Sequence, residues 1–195
     1  MKQKKRLRAI LFDLVGVLVF PKKGYVPRSV NEHNAAHIEK LFNHVDDQKL
    51  ISDIQIILGL TNNEIAAALP YIPEKFEMFT DLWKMIPDLH KKFRLGIINN
   101  GNSLALTYWK RKFDFSEFDI YVNSAQVKLK KPDPMIYLLA CKKLSVLPAE
   151  CIFMDDSRAN IESARSLGMN VVLWNTRNRM EINLKSFRDI ISALK

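Results

Sequence analysis

Four polar groups in this chain have residue types that suit phosphoryl chemistry: Asp13, Asn99-Asn100-Gly101, Ser124 with nearby Lys131, and Asp155-Asp156. Each follows an apolar run. Carboxylates on two neighbouring strands suit a hard cation such as magnesium, which takes oxygen ligands and keeps several waters. One carboxylate could also act as a nucleophile. A lysine and an amide donor would hold a transferring phosphoryl group or a developing oxyanion. Asp13 stands out, because a carboxylate in a stretch as apolar as AILFDLVGVLVF is costly to bury unless a metal ion or hydrogen-bond donors pair with it. In the plainer reading, Asp13 begins a turn at Gly16.

These groups can meet only if one sheet edge collects them. Ala9–Phe12, Arg94–Ile98, Asp119–Val122, Cys151–Met154 and Asn170–Trp174 read as short apolar strands. Helical patterns alternate with them: Asn102–Lys112, a helix from Pro134 through Leu144, Ser157–Leu167 with Gly168 as its stop, and Met180–Leu194. The alternation predicts an α/β fold, a doubly wound, parallel, five-stranded Rossmann-like sheet. In such sheets the carboxyl ends of the strands face the ligand. Four further helical patterns lie between the first two strands. They are Ser29–Asn43, Asp46–Leu58 ending at Gly59, Thr61–Leu69 with a Thr61/Glu64 capping box, and Glu74–Met85 with Phe76, Phe79, Leu82 and Trp83 inward. The expected organisation is therefore a core of residues 1–20 and 86–195 with a small helical cap, 21–85, inserted after the first strand.

A chain of 195 residues can bury one good core with such an insert. The formal charge of +9 invites nucleic acid, but the basic groups are scattered over Lys2–Arg8, Lys110–Lys112 and Lys128–Lys131. That scatter fits attraction of a small phosphorylated or otherwise anionic substrate better than a nucleic-acid surface. Lys2–Arg8 before an apolar run imitates a secretory signal, yet Asp13 interrupts it and no small-residue cleavage site precedes Pro21-Lys22-Lys23. No apolar stretch is long enough to cross a bilayer. Cys141 and Cys151 show no framework spacing, so a reducing, cytoplasmic location is expected. His33 and His37 have the i,i+4 spacing of zinc ligands but lack an acidic partner motif, and read as structural.

From Arg8 to Trp174 the chain resembles the haloacid dehalogenase-like (HAD) hydrolase superfamily, in the branch resembling the N-terminal phosphatase domain of soluble epoxide hydrolases. The residues carrying the likeness are Asp13-Leu14-Val15-Gly16-Val17, Asn99-Asn100-Gly101, Lys131-Pro132-Asp133-Pro134, and Phe153-Met-Asp-Asp-Ser-Arg-Ala-Asn160. The resemblance implies magnesium as cofactor. It makes Asp13 nucleophile and metal ligand, with the Val15 backbone carbonyl and Asp156 as further ligands and Asp155 acting through water or from behind. Lys131 would neutralise the nucleophile and the phosphoryl group, and Asn99 would donate to a phosphoryl oxygen, with Asn100 and Gly101 beside it binding substrate.

Two positions depart from the pattern. Val15 replaces the second aspartate, which in family phosphatases protonates the leaving group and then activates water, and valine can do neither. Asn99 replaces a hydroxyl residue, but its amide can still donate. The expected activity is a magnesium-dependent phosphohydrolase or phosphotransferase with an aspartyl intermediate on Asp13, suited to leaving groups that need little protonation. The alternatives are a catalytically impaired binding protein on the same scaffold and a dehalogenase-type hydrolase. The latter fits less well, since it would lack the Asp155-Asp156 pair and carry an aromatic residue at 15 and threonine at 17.

Overall fold

In the computed structural model, which describes residues 6–42, 45–174 and 180–193, the apolar run that carries Asp13 is the middle strand of the sheet. Strand β1 (Ala9–Phe12) is wholly buried. Its side chains alternate between two apolar clusters, Ile10 and Phe12 on one face and Ala9 and Leu11 on the other. A strand buried on both faces needs helices on both sides, and the chain supplies them.

The remaining elements follow in order. β2 (Val19–Pro21) leads to three helices, α1 (Val30–Glu39), α2 (Asp47–Leu58) and α3 (Asn62–Ala68). Then come β3 (Phe76–Met78), α4 (Thr80–Trp83), α5 (Ile86–His90), β4 (Arg94–Asn99), α6 (Leu106–Lys112), β5 (Ile120–Asn123) and α7 (Ser124–Val127). The chain continues through α8 (Pro134–Leu144), β6 (Cys151–Asp155), α9 (Arg158–Ser166), β7 (Asn170–Leu173) and α10 (Met180–Ala193). Leu194, the expected end of the last helix, and most of the basic tail lie outside the described residues.

The five-stranded sheet has the order β5-β4-β1-β6-β7 with every pair parallel, as the alternating pattern predicts. Strand order reverses at β1, the kind of switch point where open sheets place their ligands. Local signals end the helices where expected. Asp46 caps α2, Gly59 closes it in the left-handed conformation, and the Thr61/Glu64 box opens α3 with both reciprocal bonds. No helix among the described residues is long and apolar enough to cross a membrane.

Two expected helices are shorter than their patterns, Val30–Glu39 and Leu106–Lys112, and a larger departure lies in the insert. Glu74–Met85 is not a helix: a 3-10 turn at Pro73–Lys75 gives way to β3, and only Thr80–Trp83 is helical. The cause is tertiary. Phe76–Met78 pairs antiparallel with Val19–Pro21, and the Phe79 N–H donates to the Leu18 carbonyl at 2.9 Å. The residues expected inward are still buried: Phe76, Phe79 and Leu82 are core, and Trp83 donates its indole N–H to the Leu18 carbonyl at 2.7 Å. Pairing with β2 overrode a helical spacing that the same residues satisfy. The resulting ribbon ties residues 76–79 to the segment just after Asp13. Apolar residues of α1–α3 (Ala35, Ile38, Leu50, Ile54, Ile65) join the same cluster as Ile10 and Phe12.

Candidate active site

Register brings the polar groups together. Phe12 pairs with Met154 on one side and with Ile97 on the other, so Asp13 emerges level with Asp155, one residue short of Asn99. The Asp13 N–H donates to the Met154 carbonyl at 2.8 Å, which holds the two strand ends side by side. Beyond Asp13 the chain turns sharply, anchored by the buried Leu14, Val17 and Leu18. Gly16 has a φ of +98°, and a Cβ there would fall 2.4 Å from the Asp156 carboxylate. Only glycine gives both the turn and the close approach of Asp156.

Lys131 is 3% exposed and reaches between two carboxylates, its Nζ 2.6 Å from Asp13 and 2.7 Å from Asp155. Burial alone would lower its pKa, but Asp13 and then Asp155 outweigh that and hold it above the ordinary lysine value. Asp155 is fully buried and fully engaged: it accepts from the Ser157 N–H at 2.8 Å and from the Asn160 amide at 2.9 and 3.1 Å as well as from Lys131. Asp156 is exposed beside it. One lysine thus faces three carboxylates whose ligand atoms lie within 4.8 Å of one another. Burial, partly offset by Lys131 and reinforced by Asp155 and Asp156, pushes the Asp13 carboxyl from 3.8 up to about 7. Burial and Asp155 raise Asp156 as well. The donor set of this cluster fits a hard, oxygen-seeking dication.

Internal hydrogen bonds hold the residues at the end of β4. The Asn100 side chain clamps the Lys131 backbone, donating to its carbonyl at 2.8 Å and accepting from its N–H at 2.8 Å. That makes Asn100 a positioning residue for Lys131, its side chain spent within the protein. The Ser124 hydroxyl is likewise occupied, bonded to the Gly101 N–H and carbonyl. The Asn99 amide donates to the Tyr121 hydroxyl at 3.3 Å. Asn160, to which no role was given from sequence, orients Asp155; its position in the first turn after β6 was the available signal.

Beside these groups is a cavity of about 210 Å³, into which Val15, Phe42, Phe76, Trp109 and Tyr121 face together with Asn99. Val15, 36% exposed, presents its isopropyl group to this cavity. Phe42 follows α1, so the inserted helices supply part of the wall. Phe76, expected to face inward, is joined here by Trp109. They pack, ring centroids 5.0 Å apart, and also line the cavity.

The model of the haloacid dehalogenase-like hydrolases matches residues 10–174. The chain belongs to that family. A phosphorylated carbohydrates phosphatase of Thermotoga maritima is 26% identical over 180 residues, 84% of this chain and 82% of its own length. The rat bifunctional epoxide hydrolase 2 is 39% identical over 56 residues, 29% of this chain but 10% of that protein, in keeping with the expected branch. A HAD-family enzyme of Bacteroides thetaiotaomicron, crystallised with magnesium and inorganic phosphate, superposes with a TM-score of 0.68 at 20% identity, covering 90% of this chain and 98% of its own. The family thus includes relatives with magnesium, and the three aspartates here could hold a metal ion.

Proposed function

We propose that this HAD-like hydrolase is a magnesium-dependent phosphohydrolase or phosphotransferase that works through an aspartyl-phosphate on Asp13 without a side-chain general acid. The observation that carries the reading is Lys131, buried between Asp13 and Asp155 in a cluster of three carboxylates. The magnesium found with the Bacteroides enzyme and the Thermotoga relative's action on phosphorylated carbohydrates support a small phosphorylated substrate. Asp13, Asp156 and the Val15 backbone carbonyl would hold the cation, which when bound supplies charge neutralisation for phosphoryl oxygens.

An Asp13 Oδ attacks phosphorus as the bond to the leaving oxygen breaks, and the leaving group departs as an anion. Lys131 offsets the charge on the nucleophile and the phosphoryl oxygens, and Asn99, with a second amide hydrogen beyond the one on Tyr121, donates to one of them. Asp155 keeps Lys131 aimed and Asn160 keeps Asp155 in place. Water then attacks phosphorus, releasing Asp13 and phosphate, with the water's proton going to solvent. Val15 cannot carry a proton in either half, so the reaction is restricted to acyl or aryl phosphates and the second half is slow, by roughly 10²–10⁴-fold. Residues 21–85 act as the cap that selects the substrate, and the neighbouring free thiols Cys141 and Cys151 fit a reducing, cytoplasmic setting.

Quenched-flow with an aryl phosphate and magnesium tests this. The parent should give a burst of leaving group, slow turnover and a phosphoryl adduct on Asp13 by mass spectrometry, and Val15→Asp should turn over faster with a shorter-lived adduct. No burst, no adduct and no gain would leave a binding protein on a hydrolase scaffold.

A further inference from the structure

The cavity beside Val15 is polar by composition and apolar in what it offers. Four asparagines, 99, 100, 102 and 123, line it. Their amides are largely committed elsewhere. Asn100 is spent on the Lys131 backbone, and one of the Asn99 amide hydrogens on the Tyr121 hydroxyl. Asn102 accepts from the Ala105 N–H at 2.9 Å, and Asn123 donates to the Asn102 carbonyl at 3.0 Å while accepting from the Ala125 N–H at 3.0 Å. Glu39, the carboxylate on the cavity wall, is held in an ion pair by Lys75. Most of the surface left is rings and aliphatic carbon, from Phe42, Phe76, Trp109, Tyr121, Leu106 and Val15. A polyol entering here would find few uncommitted polar partners, and for most of its hydroxyls would have to break internal hydrogen bonds or leave them unpaired, at about 1–3 kcal/mol for each such group. An aromatic ring would meet neither cost and would gain edge or offset contacts with the wall.

Size agrees. An apolar cavity of about 150 Å³ accepts benzene, and this one measures about 210 Å³. It has room for one ring and a small substituent.

We infer that this cavity is a leaving-group subsite for a compact, single-ring aryl phosphate, and that Phe42, Phe76, Trp109 and Tyr121 read that ring. The inference rests on the phosphoryl chemistry proposed above. It also gives Val15 a positive role, since an isopropyl group extends the apolar wall where an ionised aspartate would break it.

Binding separates this inference from turnover. Benzylphosphonate, in which a methylene replaces the scissile oxygen of phenyl phosphate, is compared by calorimetry with ethylphosphonate and 2,3-dihydroxypropylphosphonate in the presence of magnesium. Benzylphosphonate should bind at least tenfold more tightly than either. Phe42 is half-buried in a turn, so Phe42→Ala and Phe42→Leu can be checked for an intact melting transition. Phe42→Ala should remove most of the ring preference and leave ethylphosphonate within twofold of the parent, with Phe42→Leu in between. Equal affinity for the three, tighter binding of the dihydroxypropyl compound, no binding of any, or a preference that survives Phe42→Ala would overturn the inference. A ring preference without any phosphoenzyme would instead retain the subsite and remove the catalytic reading.

Discussion

The floor and the wall of this site are built on opposite principles. The floor, Asp13, Lys131, Asp155 and Asp156, is charged, and its buried members are paired with one another, Asp155 being fixed further by the Ser157 N–H and the Asn160 amide. The wall, Phe42, Phe76, Trp109 and Tyr121, is a set of rings contributed by the inserted helices, the β2–β3 ribbon, α6 and β5. Charges taken out of water must be paired, so the floor has one workable arrangement. Rings that only need contact can be exchanged at modest cost. A hydrolase divided in this way can keep its chemistry while its substrate changes.

That contrast can be broken most forcefully at Lys131. Lys131→Ala leaves two buried carboxylates without their cation, and about 3–5 kcal/mol of stability should be lost in urea unfolding without divalent cation. Lys130→Ala, next to it and exposed, should change stability by about 0.5 kcal/mol or less. If turnover is detectable, Lys131→Ala should also depress it far more. Similar losses for the two variants would mean that the floor is not electrostatically determined.

Cation dependence sharpens the comparison next. Magnesium at a hundred times its dissociation constant should stabilise the parent by about 2.7 kcal/mol, read as a rise in the thermal midpoint. Asp156→Ala should lose most of that rise, whereas Phe42→Ala, in the wall, should keep it. Equal stabilisation of the parent and Asp156→Ala would remove Asp156 from the cation site.

The smallest expected effect is a gain. Folding raises the Asp13 carboxyl from 3.8 to about 7, so the native state binds this proton more tightly than the unfolded chain does. Its contribution to stability is complete below pH 3.8 and is lost as pH rises through about 7. Asparagine cannot ionise. Without divalent cation, Asp13→Asn should therefore be more stable than the parent at pH 8, with the gap closing as the pH is lowered. A variant less stable than the parent at pH 8 would show that the lysine pairing outweighs the burial.

By itself the sequence determined the sheet, its strand ends and the acidic floor. Short apolar runs, each closed by a polar residue, have one economical solution, a parallel sheet whose ends converge, and Asp13 and Asp155-Asp156 follow from it, while Lys131 is legible from the Lys-Pro-Asp-Pro stretch that resembles the family's. Caps were legible for the same local reason: Asp46, Gly59 and the Thr61/Glu64 box act within a few residues of themselves. Tertiary structure decided what depends on distant partners. Residues 76–78 became a strand because Val19–Pro21 offered a free edge, a pairing across more than fifty residues that no local spacing records. Asn100 turned to the Lys131 backbone because β4 ends beside the lysine loop, a juxtaposition visible only in three dimensions. Phe76 has the burial that its spacing predicts, and Trp109 is buried beside it. That their rings also border Val15 across a cavity follows from how the insert, the ribbon and α6 close around the end of β1.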